Sequence, residues 1–225
     1  MAKPKPDQST ASGDGSDVRM VGARRSPSQE RSQETVQRIF AAASRLLGRG
    51  VPLEDVTTGM IAGEAEVSVG ALYRFFPDKQ AIVDAIAARH LEDFQGLLIQ
   101  GLMFAPPEDG PALLGAVIDA FVEFLDERPD FKTIAYGGRY VSSAARESHS
   151  APEGGLAGMV KGFLVEGLGI ESTPELDLRL RIVTEAGDRL LAYALEQPTA
   201  EERGRVVGEM KKLLGTYFFA ESEEG

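Results

Sequence analysis

The sequence contains no cysteine in 225 residues. Disulfides, thiolate metal ligands and thiol nucleophiles are therefore excluded, and a reducing compartment is the expected setting. Histidine is nearly as scarce. His90 and His149 stand 59 residues apart, so metal or histidine-based nucleophile chemistry has no constellation to build on. No apolar run approaches the ~18 residues of a membrane span. The opening "MAKPKPDQSTASGDGSDVRM" lacks the apolar centre of a signal peptide. No stretch alternates with period two, so no sheet is expected and the fold class is all-α. A soluble, cytoplasmic protein without metal, cofactor or membrane contact is the resulting expectation.

The chain is 43% hydrophobic and carries a net charge of −11. Such acidity argues against nucleic acid until it is divided. Residues 81–225 hold 13 basic and 25 acidic groups, whereas residues 1–80 hold 11 and 10. Between Arg19 and Arg49 seven arginines face only Glu30 and Glu34. The one basic concentration thus lies in the first third, and it fits either a nucleic-acid face or an unevenly charged solvated surface.

Residues 1–28 are rich in Pro, Ser, Gly and charge, and disorder is expected there. In "TVQRIFAAASRLLGRG", Val36, Ile39, Phe40, Ala43, Leu46 and Leu47 form one helical stripe. Gly48 and Gly50 end it. Thr57 is suited to cap a short second helix, whose inner face is Ile61, Ala62 and Ala65. Ser68 is suited to cap a third, "VGALYRFF", that Pro77 stops. A long fourth helix follows from "DKQAIVDAI". Leu72 and Phe76 are i, i+4 neighbours and should point inward. Val69, Gly70, Ala71, Tyr73 and Arg74 are then left outside.

Two short helices braced by an earlier one match a helix-turn-helix, whose second helix can enter a major groove. Small residues at 69–71 would let it approach base edges, and Tyr73, Arg74 and Lys79 could reach phosphates. An ordinary helical hairpin with exposed Tyr and Lys has the same spacing, so spacing alone leaves both open.

The ordered series Thr57, Ile61-Ala62, Ala65, Val67-Ser68, Gly70, Leu72-Tyr73, Phe76 and Lys79 resembles the DNA-binding domain of the tetracycline-repressor-type (TetR) regulators. The resemblance covers residues 32–90, and "VSVGALYRFFPDK" is its most specific part. It implies that Thr57, Ser68, Tyr73 and Lys79 hold phosphates and that Val69, Gly70, Ala71 and Arg74 face the groove. Two positions depart from the pattern. Glu66 replaces a turn glycine, where positive φ costs a non-Gly residue about 1 kcal/mol. Phe75 stands where His or Tyr is common and cannot donate to a phosphate.

The rest reads as further helices over 112–127, 130–147, 154–168, 175–196 and 200–220, separated by Pro- and Gly-bearing breaks. The expected organisation is a basic arm (1–28), a helix-turn-helix domain (29–78), a helical bundle (79–220) and a tail (221–225). By resemblance, the bundle binds a small-molecule effector and forms a homodimer. The last two helices carry broad apolar faces interrupted by Gly204, Gly208 and Gly215, which suit either core or a two-fold interface. Gly154, Gly158 and Gly162 make a bare stripe suited to close packing or to ligand space. Effector candidates are the apolar or aromatic Phe104, Phe121, Phe124, Tyr136, Tyr140, Met159 and Phe163. Polar candidates are Arg139, His149, Glu185 and Arg189.

The resulting expectation is a ligand-responsive dimeric DNA-binding regulator, a repressor released from a palindromic operator by a small molecule. An adaptor that kept the fold and lost DNA binding stays open on the acidic balance and Glu66. An all-helical enzyme has only abundant carboxylates, such as Glu185 and Asp188, in its favour.

Overall fold

The computed structural model describes residues 27–137 and 155–220. The expectations for residues 1–26 of the arm, for Arg139, Tyr140, His149 and Gly154, and for the tail lie outside the described residues; Pro27 and Ser28, read as the end of the arm, instead begin a helix. Nine α-helices are described: α1 (Pro27–Gly48), α2 (Thr58–Glu64), α3 (Val69–Tyr73), α4 (Lys79–Phe104), α5 (Gly110–Glu127), α6 (Pro129–Tyr136), α7 (Gly155–Gly162), α8 (Pro174–Leu195) and α9 (Ala200–Phe218). A π-helical turn, Phe163–Gly167, continues α7. Among the described residues there is no strand.

Local chemistry explains the starts. Thr57, Ser68, Asp78, Asp109, Thr173 and Thr199 each sit at an N-cap and accept a first-turn N–H, which satisfies a donor the helix cannot. Two elements differ from expectation. The third helix ends at Tyr73 because its last turn tightens. Arg74 N and Phe75 N donate three residues back, to Ala71 O and Leu72 O, ahead of Pro77. The helix expected over 154–168 widens near its end, where Leu168 N donates to Phe163 O, five residues back.

One contiguous apolar core joins the elements. It runs from Ile39, Ala43 and Leu47 of α1 through Ile82, Ile86 and Phe94 of α4 to Leu191 of α8 and Leu214 of α9. No break in the core falls at the 78/79 boundary read from the sequence. The basic helix α1 buries one stripe, as its periodicity requires. Helices α8 and α9 fold back on each other through residues 196–199 and make the most extensive helix–helix contact. Arg203 of α9 also grips Asp126 of α5 with two bonds of 2.9 Å.

The short helix α6 packs on α1, α4 and α5 at once. At its start, Asp130 Oδ2 lies 2.9 Å from His90 Nε2 on α4, and both side chains are largely buried. The His90 ring stacks at 5.0 Å on Phe131 and edge-on at 6.3 Å to Phe124. Burial alone would raise the Asp130 pKa. Hydrogen bonds with His90 and Ser44 of α1 outweigh it and hold the carboxyl below its usual value.

A carboxyl whose folded pKa is depressed contributes stability above its unfolded pKa and loses it as pH falls through the folded value. Asp130→Ala is therefore expected to lower stability by about 1–3 kcal/mol at pH 7. The difference from wild type should shrink steadily as pH drops through the acidic range. Urea unfolding of both proteins between pH 7 and pH 3 measures it. A gap independent of pH would show that Asp130 acts by packing alone.

Candidate DNA interface and ligand cavity

The turn between α2 and α3 closes as a Schellman motif. Val67 N donates to Ala62 O (3.0 Å) and Glu66 N to Gly63 O (3.1 Å). The motif demands a left-handed residue at position 66, and Glu66 takes φ +53°. Arg38 of α1 offsets that strain, because its Nη2 donates to both Ala65 O and Glu66 O at 2.6 Å. No ion pair among the described residues joins Glu66 to Arg74.

Arg45 and Arg49 lie further along the same side of α1. Arg45 bonds the Glu64 carboxylate at 2.8 Å and the Glu64 carbonyl at 3.2 Å, and Arg49 reaches the carboxylate at 3.4 Å. The Arg45 hydrogen bond is the main cause that holds the Glu64 carboxyl below its usual pKa. The basic concentration read in the sequence as one face is thus divided. Arg38, Arg45 and Arg49 are turned onto α2 and its turn. The signal for this was their spacing of seven and four, which puts all three on one helical stripe.

What the turn presents is α3. Leu72 is wholly buried and Phe76 nearly so, while Val69, Gly70, Tyr73 and Arg74 are exposed and Ala71 is half-buried. A Cβ built on Gly70 meets nothing within 4 Å, so no internal contact requires glycine there. The hydroxyls of Thr57 and Ser68 accept Met60 N and Ala71 N at 3.2 and 3.1 Å. Each keeps its own proton to donate outward. Tyr73 Oη lies 3.1 Å from Thr58 Oγ1, tying the end of α3 to the start of α2. Phe75 is half-buried against the core, with the Arg74 guanidinium 5.9 Å from its ring centre. Lys79 differs from its expected role as a simple phosphate ligand. Its ammonium donates to Leu53 O (2.8 Å) and Glu54 O (3.4 Å), clamping the loop before α2.

Behind this unit, α5, α6, α7, α8 and α9 enclose a cavity of about 130 Å³. Its wall is almost wholly apolar, from Leu113 and Val117 on α5 to Leu180 on α8 and Leu214 and Phe218 on α9. Gly110 lets Phe219 close one side, since a Cβ there would stand 2.1 Å from the Phe219 ring. Among the described residues three polar side chains line the cavity: Tyr136, Thr184 and Asp188. Tyr136 donates its hydroxyl to Asp188 Oδ1 at 2.9 Å. Burial, reinforced by the Asp188 charge, pushes the phenol pKa well above its usual value and keeps the proton in place.

Of the effector candidates read from the sequence, Phe121 and Tyr136 line this cavity. Phe124 lies among Phe94, Phe131 and His90, with Arg128 3.9 Å over its ring. Met159 and Phe163 pack on the core beside the cavity without lining it. Phe104, at the end of α4, is 93% exposed. Glu185 and Arg189 are exposed on the outer side of α8. Thr184 and Asp188 were missed as lining residues. Asp188 adjoins the inward stripe of Leu180, Val183, Gly187 and Leu191, and a lone carboxylate beside such a stripe was the available signal.

An outward-facing short helix on a braced turn, with a cavity-bearing bundle behind it, is the architecture of a helix-turn-helix regulator. Family comparison agrees. The model for bacterial regulatory proteins of the tetR family matches residues 39–86, and that for the tetracyclin repressor-like C-terminal domain matches residues 111–217. The chain belongs to the TetR family of DNA-binding transcriptional regulators. Solved structures share the fold. A TetR-family regulator from Streptomyces coelicolor aligns with a TM-score of 0.64 at 23% identity, covering 81% of this chain and 96% of that one. RolR, in complex with its ligand resorcinol, aligns at 0.60 and 20%, covering 83% and 90%. A putative regulator from Shewanella sp. PV-4 aligns at 0.56 and 17%, covering 80% and 97%. No curated protein sequence matches the chain.

Two variants probe the DNA-facing unit. Glu66→Gly relieves the left-handed strain and removes an exposed carboxylate, so stability should stay level or rise by up to about 1 kcal/mol. DNA binding should tighten at low salt. Thermal melts and DNA titrations at two salt concentrations test this, and a lower melting point with weaker binding would refute it. Lys79→Ala unclamps the 51–56 loop. It should cost about 1–3 kcal/mol in urea unfolding and weaken binding to all DNA sequences alike.

Proposed function

We propose that the protein is a dimeric repressor, without catalytic activity, that leaves a two-fold symmetric operator when a small molecule fills the cavity. It acts in the cytoplasm, where that operator is. Thr57, Ser68 and Tyr73 hold phosphates. Val69, Gly70, Ala71 and Arg74 face the groove. Lys79 positions the loop before α2 and adds positive charge near the backbone.

The observation that carries this reading is the position of α6. One end of it, at Asp130, is bonded to α4 and α1 of the DNA-binding unit. The other end, at Tyr136, is part of the cavity wall. A ligand that displaces Tyr136 therefore acts on a helix seated directly against α1. A coupling of about 1–3 kcal/mol relieves repression several-fold to about a hundredfold.

The dimer contact proposed is the outer surface of α8 and α9. Leu178, Ile182, Tyr193, Leu213 and Tyr217 are exposed there. A Cβ on Gly204 or Gly208 meets nothing within 4 Å, so both leave backbone open to a close neighbour. Such a pairing presents the same patch on each copy and sets the two α3 helices for half-sites about 34–36 Å apart.

Selection from a random duplex pool is expected to return a two-fold symmetric motif whose binding weakens steeply with salt. Failure to enrich any motif would favour an adaptor over a repressor. Leu213→Glu places a charge in the contact and is expected to give monomers by sedimentation and at least tenfold weaker operator binding. A dimer with full affinity would move the interface elsewhere.

A further inference from the structure

Among the described residues three polar side chains line the cavity, and the protons of its two hydroxyls are already used. Tyr136 donates to Asp188 Oδ1 at 2.9 Å. Thr184 donates to Leu180 O at 2.8 Å. Asp188, as a carboxylate, has no proton to give. Arg179 of α8 donates to Phe218 O and Ala220 O and does not line the cavity. Among the described residues the polar part of the wall therefore offers acceptors and one negative charge, and no free donor. The rest of the wall is aliphatic or phenyl.

Size narrows the occupant further. An apolar cavity of about 150 Å³ accepts one benzene, and this one measures about 130 Å³. One ring or a body of similar bulk fits that volume.

Resting on the reading of this cavity as the effector site, we propose that Asp188 determines effector specificity. The effector is a ring-sized apolar molecule bearing a hydroxyl or amine that donates to Asp188, and carboxylates are rejected. A hydroxyl or ammonium placed beside Asp188 gains a charge-assisted hydrogen bond. A carboxylate of the same shape would face the Asp188 charge and find no free donor among the described wall residues. Asp188 is exposed to solvent, which screens that repulsion without reversing its sign.

The test uses the full chain and four probes with one ring: benzyl alcohol, benzylamine, benzoate and toluene. Binding is read by calorimetry and by the shift in melting temperature. Benzyl alcohol and benzylamine are expected to bind at least about tenfold more tightly than benzoate, the scale of one charge-assisted hydrogen bond. In Asp188→Asn, which removes the charge and supplies an amide donor, benzylamine should weaken, benzoate should gain, and toluene should not change. Tyr136→Phe keeps the carboxylate and should keep the wild-type order. That order alone decides the matter should Asp188→Asn not fold. Benzoate binding wild type as tightly as benzyl alcohol, or an unchanged order in Asp188→Asn, would overturn the assignment while leaving the cavity as the effector site. If not even toluene binds, the cavity reading fails and the assignment falls with it.

Discussion

Helix α6 is the constraint on which the two halves of the molecule depend. It has eight residues, and the six steps from Asp130 to Tyr136 span about 9 Å at 1.5 Å per residue. Within that length it must satisfy a largely buried carboxylate at one end and a half-buried phenol at the other. The first is met by His90 and Ser44, the second by Asp188. Neither partner belongs to α6, so the helix cannot rotate or slide without breaking the largely buried Asp130 bonds, at about 1–3 kcal/mol, or the exposed Tyr136–Asp188 bond, which is worth less. An element pinned in this way at both ends transmits displacement where a loosely packed one would absorb it. The shared core of α1, α4 and α6 supplies the stiffness, because close-packed interiors shift between discrete arrangements more readily than they deform.

The arginines of α1 show how charge is shared between folding and binding. The Schellman turn before α3 uses Glu66 in a conformation that glycine adopts more cheaply, and two charge-assisted bonds from Arg38 hold its carbonyls. Arg45 and Arg49 fix the end of α2 through Glu64. These three cations are therefore committed to shaping the presentation of α3. Their charge still lies in the DNA-binding half and adds to the long-range field there.

The DNA-binding half was legible to the extent that its signals are local. Thr57 and Ser68 cap because a hydroxyl one residue ahead of a helix has an unpaired N–H within reach. Leu72 and Phe76 turn inward because their spacing of four fixes their direction. The positive φ at Glu66 follows from the turn itself. The cavity was legible only as a composition. Phe121 and Phe124 are three residues apart on one apolar face, yet one lines the cavity and the other packs on His90. Which neighbour each meets depends on where α4, α6 and α8 pass, and one helix's periodicity does not carry that. The partners of Lys79 at Leu53 and Glu54 were illegible for the same reason, since they are a tertiary contact. Phe104, Glu185 and Arg189 lie away from the cavity because an aromatic or charged residue on a helix carries no label for the side on which a neighbour will pack.

The specificity assigned to Asp188 and the coupling assigned to α6 meet at one atom pair. The carboxylate that would accept the effector's donor already accepts the Tyr136 hydroxyl. A donor arriving at Asp188 shares or takes that acceptor, and Tyr136 must then find another partner or move. Tyr136 is the last residue of α6, so its displacement falls on the end of the helix opposite to the Asp130 anchor. A ligand matched only in shape would fill the cavity with this bond intact and would have little preference between the two states. Equal affinity for both states shifts no equilibrium, however tight the binding. The hydrogen bond that selects the effector is thus the same interaction that gives the effector a preference for the released state. Recognition and response are linked there, and apolar fit alone would provide only occupancy.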